Sequence, residues 1–122
     1  MAYRIFVVED LPRLRSTFAA ILNAQPDMEL CGDAGSAEEA LEKIPQASPD
    51  IVLVDVSLPG MSGIDLLRVL ARVQPELPAL IVSGHDRNIY WHDGLSPQVK
   101  GYVMKHEGPD VMLSAIRQAL TS

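Results

Sequence analysis

The chain has 122 residues, 48% apolar and 21% charged, which is the size and composition of one globular domain spanning 1–122. Ten basic residues against 16 acidic ones give a formal charge of −6, which argues against a direct grip on nucleic acid, where clustered basic charge supplies most of the binding. A lone Cys31 excludes an internal disulfide framework and a cysteine-built zinc site, no apolar run approaches the roughly 18 residues of a membrane span, and an N-terminus running Met1-Ala2-Tyr3-Arg4 into four apolar residues lacks signal-peptide shape, so a soluble cytoplasmic protein is expected.

Tyr3 to Val8 is a near-continuous apolar run ending at Glu9-Asp10, the pattern of a strand buried on both faces. Pro12 suits a first helical turn, and Leu14, Phe18, Ile21 and Leu22 carry that helix toward Gln25-Pro26. A weaker strand is expected over Met28 to Asp33, with Cys31 as a small buried apolar residue within it. Ser36-Ala37-Glu38-Glu39 reads as a capping box, the serine capping the third helical amide while Glu39 reaches back. Pro45 and Pro49 are expected to end that second helix. Ile51 to Val54 is the clearest strand and ends in Asp55; a loop, Ser57 to Gly63, leads to a third helix running to Pro75.

Ala79 to Ser83 is a fourth strand stopped by Gly84, and Val99 to Met104 holds a fifth. Pro109 opens a last helix with Met112, Leu113, Ile116 and Leu120 as its apolar stripe, and Asp110 and Arg117 placed to suit the helix dipole. The stretch 85–98, containing Tyr90 and Trp91, supports about two helical turns before Gly94, Ser96 and Pro97 break it. Five alternations of strand and helix predict an α/β fold, a doubly wound parallel sheet with helices on both faces. In such sheets ligands bind beyond the carboxyl ends of the strands, where strand order reverses.

Those ends carry Glu9, Asp10, Asp55, Ser83 and, just past the fifth strand, Lys105. Three carboxylates at one edge repel one another unless neutralised. Lys105 leaves a local charge of about −2, which one divalent cation cancels; oxygen ligands and few carboxylates suit Mg²⁺. Taken singly, an aspartate after a strand is usually a solvated loop residue or a helix cap. Three acids, a hydroxyl and a lysine at successive strand ends fit that plain reading poorly.

Glu9-Asp10, Asp55-x-x-x-Pro59-x-x-x-Gly63, Ser83 and Tyr102-x-x-Lys105, with 28 residues from Asp55 to Ser83 and 22 from Ser83 to Lys105, resemble the receiver domain of two-component response regulators, most of all receivers attached to helix-turn-helix DNA-binding regulators. The resemblance runs from Ile5 to Leu120. It implies a five-stranded flavodoxin-like sheet of order 2-1-3-4-5. It also implies Asp55 as phosphoacceptor, with Mg²⁺ held by Glu9, Asp10, Asp55 and the backbone carbonyl of Ser57. Lys105 and Ser83 would contact the phosphoryl oxygens, and Tyr102 would be a switch aromatic that turns inward with Ser83. The implied donor is a sensor histidine kinase or phosphotransfer protein. The output or homodimer contact would lie on the 84–122 face, with switching around residues 84–108. Ser57 and His85, each two residues after a site residue, would influence how long the phosphoryl group lasts.

Several features depart from the family pattern. Serine stands at 83 where threonine is commoner, and glutamate at 9 where aspartate is often found. His106 stands where many receivers have a proline, so a lock on that loop is missing. The fourth helix is expected to be short, displaced or partly melted. A second reading is therefore a receiver-like interaction module that works without phosphorylation. An aspartyl phosphatase is disfavoured because Asp55-Val56-Ser57 lacks the second acid of Asp-x-Asp, and a flavin-binding module because no Gly/Ser/Thr-rich loop replaces Glu9 and Asp10.

Overall fold

The computed structural model describes residues 2–84 and 97–121. In chain order these form β1 (Tyr3–Val8), α1 (Pro12–Asn23), β2 (Met28–Ala34), α2 (Ala37–Ala47), β3 (Ile51–Asp55), α3 (Gly63–Val73), β4 (Ala79–Ser83), β5 (Val99–Met104), a 3₁₀ turn (Lys105–Glu107) and α4 (Pro109–Thr121). The expected fourth helix, with His85, Tyr90, Trp91 and His92, lies outside the described residues. No helix among the described residues is long and apolar enough to cross a membrane.

The five strands pair in parallel in the order β2-β1-β3-β4-β5, as the resemblance implied. The alternation of side chains along each strand divides the core in two. Ile5 and Val7 of β1, with Leu53, Val82 and Val103, pack under Phe18 and Leu22 of α1 and Met112, Leu113 and Ile116 of α4. Phe6 and Val8, with Val52, Val54 and Ile81, pack against Ala40 and Ile44 of α2 and Leu66, Leu67 and Leu70 of α3. Both faces are covered, which is why the strands read as unbroken apolar runs.

The helix starts follow local chemistry. Pro12 stands in the first turn of α1. The Ser36 hydroxyl accepts from Glu39 N–H at 3.1 Å, and Ser62 does the same for Asp65 at 3.1 Å. Glu39 does reach back, to the N–H of Gly35 at 2.8 Å, one residue before the cap.

Three expectations need correction. α2 does not end at Pro45; it continues to Ala47, because a proline this near the end forfeits one intrahelical bond with little helix left to disrupt. Ser48 then closes it in the left-handed conformation (φ 48°), its N–H reaching Ile44 O at 3.1 Å. Cys31 is half-buried, because the β1–β2 register shifts there: Ile5 faces Leu30 and Phe6 faces Gly32, leaving Cys31 as the extra residue of a bulge. Burial raises its thiol pKa. Arg117 does not serve the helix dipole. Its guanidinium forks onto Asp27, at 3.0 Å to each oxygen, and donates to Gln25 Oε1, tying α4 to the α1–β2 loop.

Candidate functional site

Because β2 lies on one side of β1 and β3 on the other, strand order reverses between β1 and β3, and a crevice opens at their carboxyl ends. Glu9 and Asp10 follow β1, and Asp55 closes β3. One carboxylate oxygen from each of the three lies within 4.8 Å of the others. Glu9 and Asp55 are 1% and 3% exposed, whereas Asp10 is half-buried. Lys105, one residue past β5, reaches back to this group, its ammonium 2.6 Å from Glu9 Oε1 and 2.9 Å from Asp55 Oδ2.

Each oxygen of Asp55 is therefore held. Oδ1 accepts from the Ser57 N–H at 2.9 Å and Oδ2 from Lys105. Glu9 Oε2 accepts from Leu11 N–H at 3.2 Å, while Oε1 sits against the Lys105 ammonium without the angles of a hydrogen bond. Burial pushes the Glu9 carboxyl pKa up; Lys105 and the Leu11 N–H pull against it, and the Asp55 charge adds to the rise. Burial also opposes the charge on Lys105. Its close ion pair with Glu9 and its hydrogen bond to Asp55 outweigh that, and the ammonium pKa is held above its ordinary value.

Close packing brings these ends together. A Cβ at Gly63 would stand 2.2 Å from the carbonyl oxygen of Asp55, so glycine alone lets the start of α3 approach the end of β3. Ser83, the last residue of β4, is completely buried and in register with Met104. Tyr102 of β5, in register with Ile81, is already buried in the α2–α3 side of the core. Ser57 meets Asp55 through its amide N–H. His106 is exposed.

Three residues around the crevice were not legible in the sequence. Arg15 of α1 donates to the backbone carbonyl of Glu9 at 2.7 Å. Glu38 of α2 accepts from Met61 N–H at 3.4 Å across the β3–α3 loop. Glu107 accepts from Met104 N–H at 2.8 Å beside Lys105. All three are long side chains bonded to backbone groups. Spacing gives a hint only for Arg15, which lies one helical turn past Leu11 at the start of α1.

Chemically, the crevice offers hard oxygen donors, two of them on buried carboxylates and the third on a half-buried one, with one ammonium beside them. That donor set fits a small divalent cation such as Mg²⁺. It also leaves Asp55, the acid that closes β3, as a carboxylate whose oxygens are oriented by Ser57 N–H and Lys105.

Comparisons with known proteins agree with this fold. A family model described as the response regulator receiver domain matches residues 5–117. The chain is 31% identical over 116 residues to the uncharacterized transcriptional regulatory protein YxjL of Bacillus subtilis, covering 95% of this chain and 53% of that protein. It is 40% identical over 80 residues to a protein-glutamate methylesterase/protein-glutamine glutaminase of Agrobacterium fabrum, covering 66% of this chain and 22% of that one. Among solved structures, a LuxR-family two-component response regulator from Aurantimonas superposes with a TM-score of 0.88 at 27% identity, covering 99% of this chain and 86% of that one. The chain thus spans about half the length, or less, of these curated relatives.

Proposed function

Since the chain belongs to the response regulator receiver domain family, we propose that Asp55 is its phosphoacceptor and that Glu9, Asp10 and Asp55, with the Ser57 backbone carbonyl, hold Mg²⁺ beside it. The observation that carries this reading is the state of Asp55. It is almost fully buried at the switch point of the sheet, its two oxygens are fixed by Ser57 N–H and Lys105, and it lies within reach of two further acids.

A carboxylate is a competent nucleophile toward phosphorus. An Asp55 oxygen attacks the phosphorus of a phosphohistidine on a sensor kinase or phosphotransfer protein. A new O–P bond forms as the P–N bond breaks, and the electron pair leaves on the imidazole nitrogen. Mg²⁺, when bound, screens the charge between the carboxylates and the incoming phosphoryl oxygens.

Lys105 already stands at Asp55 and needs only a small shift to pair with a phosphoryl oxygen. The Ser83 hydroxyl, at the next strand end, donates to another. Movement of Ser83 and Lys105 then biases the surface around residues 84–108, of which 85–96 lie outside the described residues, with Tyr102, already buried, held inward by that state and not newly turned. Self-catalysed phosphorylation and dephosphorylation serve signalling, and the output belongs to whatever partner, second copy or attached domain meets the 84–122 face.

The test is an intact mass after incubation with Mg²⁺ and acetyl phosphate. One phosphoryl adduct is expected on the natural chain, and none on Asp55→Asn. A natural chain that neither binds Mg²⁺ nor gains an adduct would sink the reading.

A further inference from the structure

Lys105 is followed by His106, so no proline ring stiffens the loop that carries the ammonium to its two carboxylates. The structure supplies a different restraint. Residues Lys105–Glu107 make one 3₁₀ turn, and the Glu107 carboxylate folds back on it to accept the Met104 N–H at 2.8 Å. Met104 is the last residue of β5, in register with Ser83 of β4. The restraint is thus applied at the strand end that faces one site residue and immediately precedes the other. Gly108 completes it with φ 93°, a backbone state that side-chain-bearing residues rarely adopt. A Cβ there would meet nothing within 4 Å, so the backbone angle and not lack of space calls for glycine.

Glu107 is itself exposed, and its carboxylate is well solvated without this bond, so core packing does not account for its position. Lysine has a long stem with many rotamers, and where its ammonium dwells depends on where its Cα is held. We propose that Glu107 is a positioning residue: its carboxylate clamps the Met104–Glu107 turn and thereby keeps Lys105 on Glu9 and Asp55. This rests on the receiver reading for its consequence in phosphoryl transfer, but the clamp itself is a property of the unphosphorylated chain. Displacements of about 1 Å in an aligned site cost up to about a hundredfold in rate; loosening one turn should cost about tenfold.

The test uses the full chain with Glu107→Ala and Glu107→Gln. A water-soluble acylating reagent reports access to Lys105, mapped by peptide mass against exposed Lys100 in the same molecule. In Glu107→Ala, Lys105 should acylate several-fold faster while Lys100 is unchanged, and the Asp55 adduct should form about tenfold more slowly with acetyl phosphate at saturating Mg²⁺. In Glu107→Gln the amide oxygen still accepts from Met104, and both readouts should return to within about twofold of the natural chain. Unchanged Lys105 acylation in Glu107→Ala overturns the proposal, as does failure of Gln to rescue, which would make charge the agent. Faster acylation at Lys100 and Lys105 alike marks general loosening and also contradicts it. If the natural chain gains no phosphoryl group, the receiver reading fails, while the acylation ratio still decides whether Glu107 holds Lys105.

Discussion

Lys105 is the residue on which the crevice balances. Its ammonium meets two carboxylates that are almost completely buried, and removing one partner of a buried pair leaves uncompensated charge. Lys105→Met should therefore destabilise the fold by about 2–3 kcal/mol, below the range for fully buried pairs because the lysine side chain is 22% exposed. Mg²⁺ should recover much of that loss, since a cation among the three acids takes over the missing charge. Urea unfolding with and without Mg²⁺ measures both effects, and an equal loss in both conditions would contradict the shared-charge account. Gly63→Ala makes a second residue-scale prediction. The added methyl meets backbone on the Asp55 side, which cannot swing aside, so stability should fall by about 1–3 kcal/mol. Natural stability in that variant would mean the contact relaxes freely. The strand-end positions of Glu9, Asp10, Asp55, Ser83 and Lys105 were legible in the sequence because an apolar run shows where a strand stops. Arg15, Glu38 and Glu107 were not, because a flexible side chain that bonds a backbone group is placed by the loop geometry and not by its own spacing.

Among the elements, the strands were read most reliably, because burial on both faces leaves an unbroken apolar run that ends where solvent begins. The failures came where one local rule met a stronger neighbour. Pro45 is a helix breaker by propensity, yet near the end of α2 it removes little, and Ser48 closes the helix beyond it. The bulge at Cys31 leaves no mark in hydrophobicity; it accompanies Gly32, where a Cβ would lie 2.9 Å from the Phe6 ring. By position Arg117 suits the dipole of its own helix, but a bidentate carboxylate on the neighbouring loop holds it. That pair yields a pH prediction. Arg117 holds the Asp27 carboxyl below its ordinary value of 3.8. A depressed acid contributes stability above its unfolded pKa and loses it as pH falls through the folded value. The Tm advantage of the natural chain over Asp27→Asn should thus be constant near neutrality and shrink below about pH 4. An advantage that is flat through the acid range would show that the charge on Asp27 adds nothing.

For the whole molecule, the alternation of elements implies a doubly wound sheet, whereas the order 2-1-3-4-5 is implied only by family resemblance and is seen in the strand pairing. Composition described an acidic chain of net charge −6, but not that three of its acids converge at the one place where strand order reverses. That convergence is a property of topology: Glu9 and Asp55 are 46 residues apart, and only parallel pairing of β1 with β3 makes them neighbours. A ligand that binds the native state alone stabilises it, by about 2.7 kcal/mol at a hundred times its Kd. Mg²⁺ should accordingly raise the Tm of the natural chain, and Ca²⁺, which prefers more ligands, should do so less at equal concentration.

Asp55, and not another acid of the crevice, is the proposed acceptor of the phosphoryl group. An acyl phosphate is reduced by borohydride to the alcohol, so treating the acetyl phosphate-modified chain and mapping its peptides by mass marks the modified carboxylate permanently. Homoserine is expected at position 55 in place of aspartate, with Glu9 and Asp10 intact. Reduction at Glu9 or Asp10, or at no acid of this crevice, would contradict it.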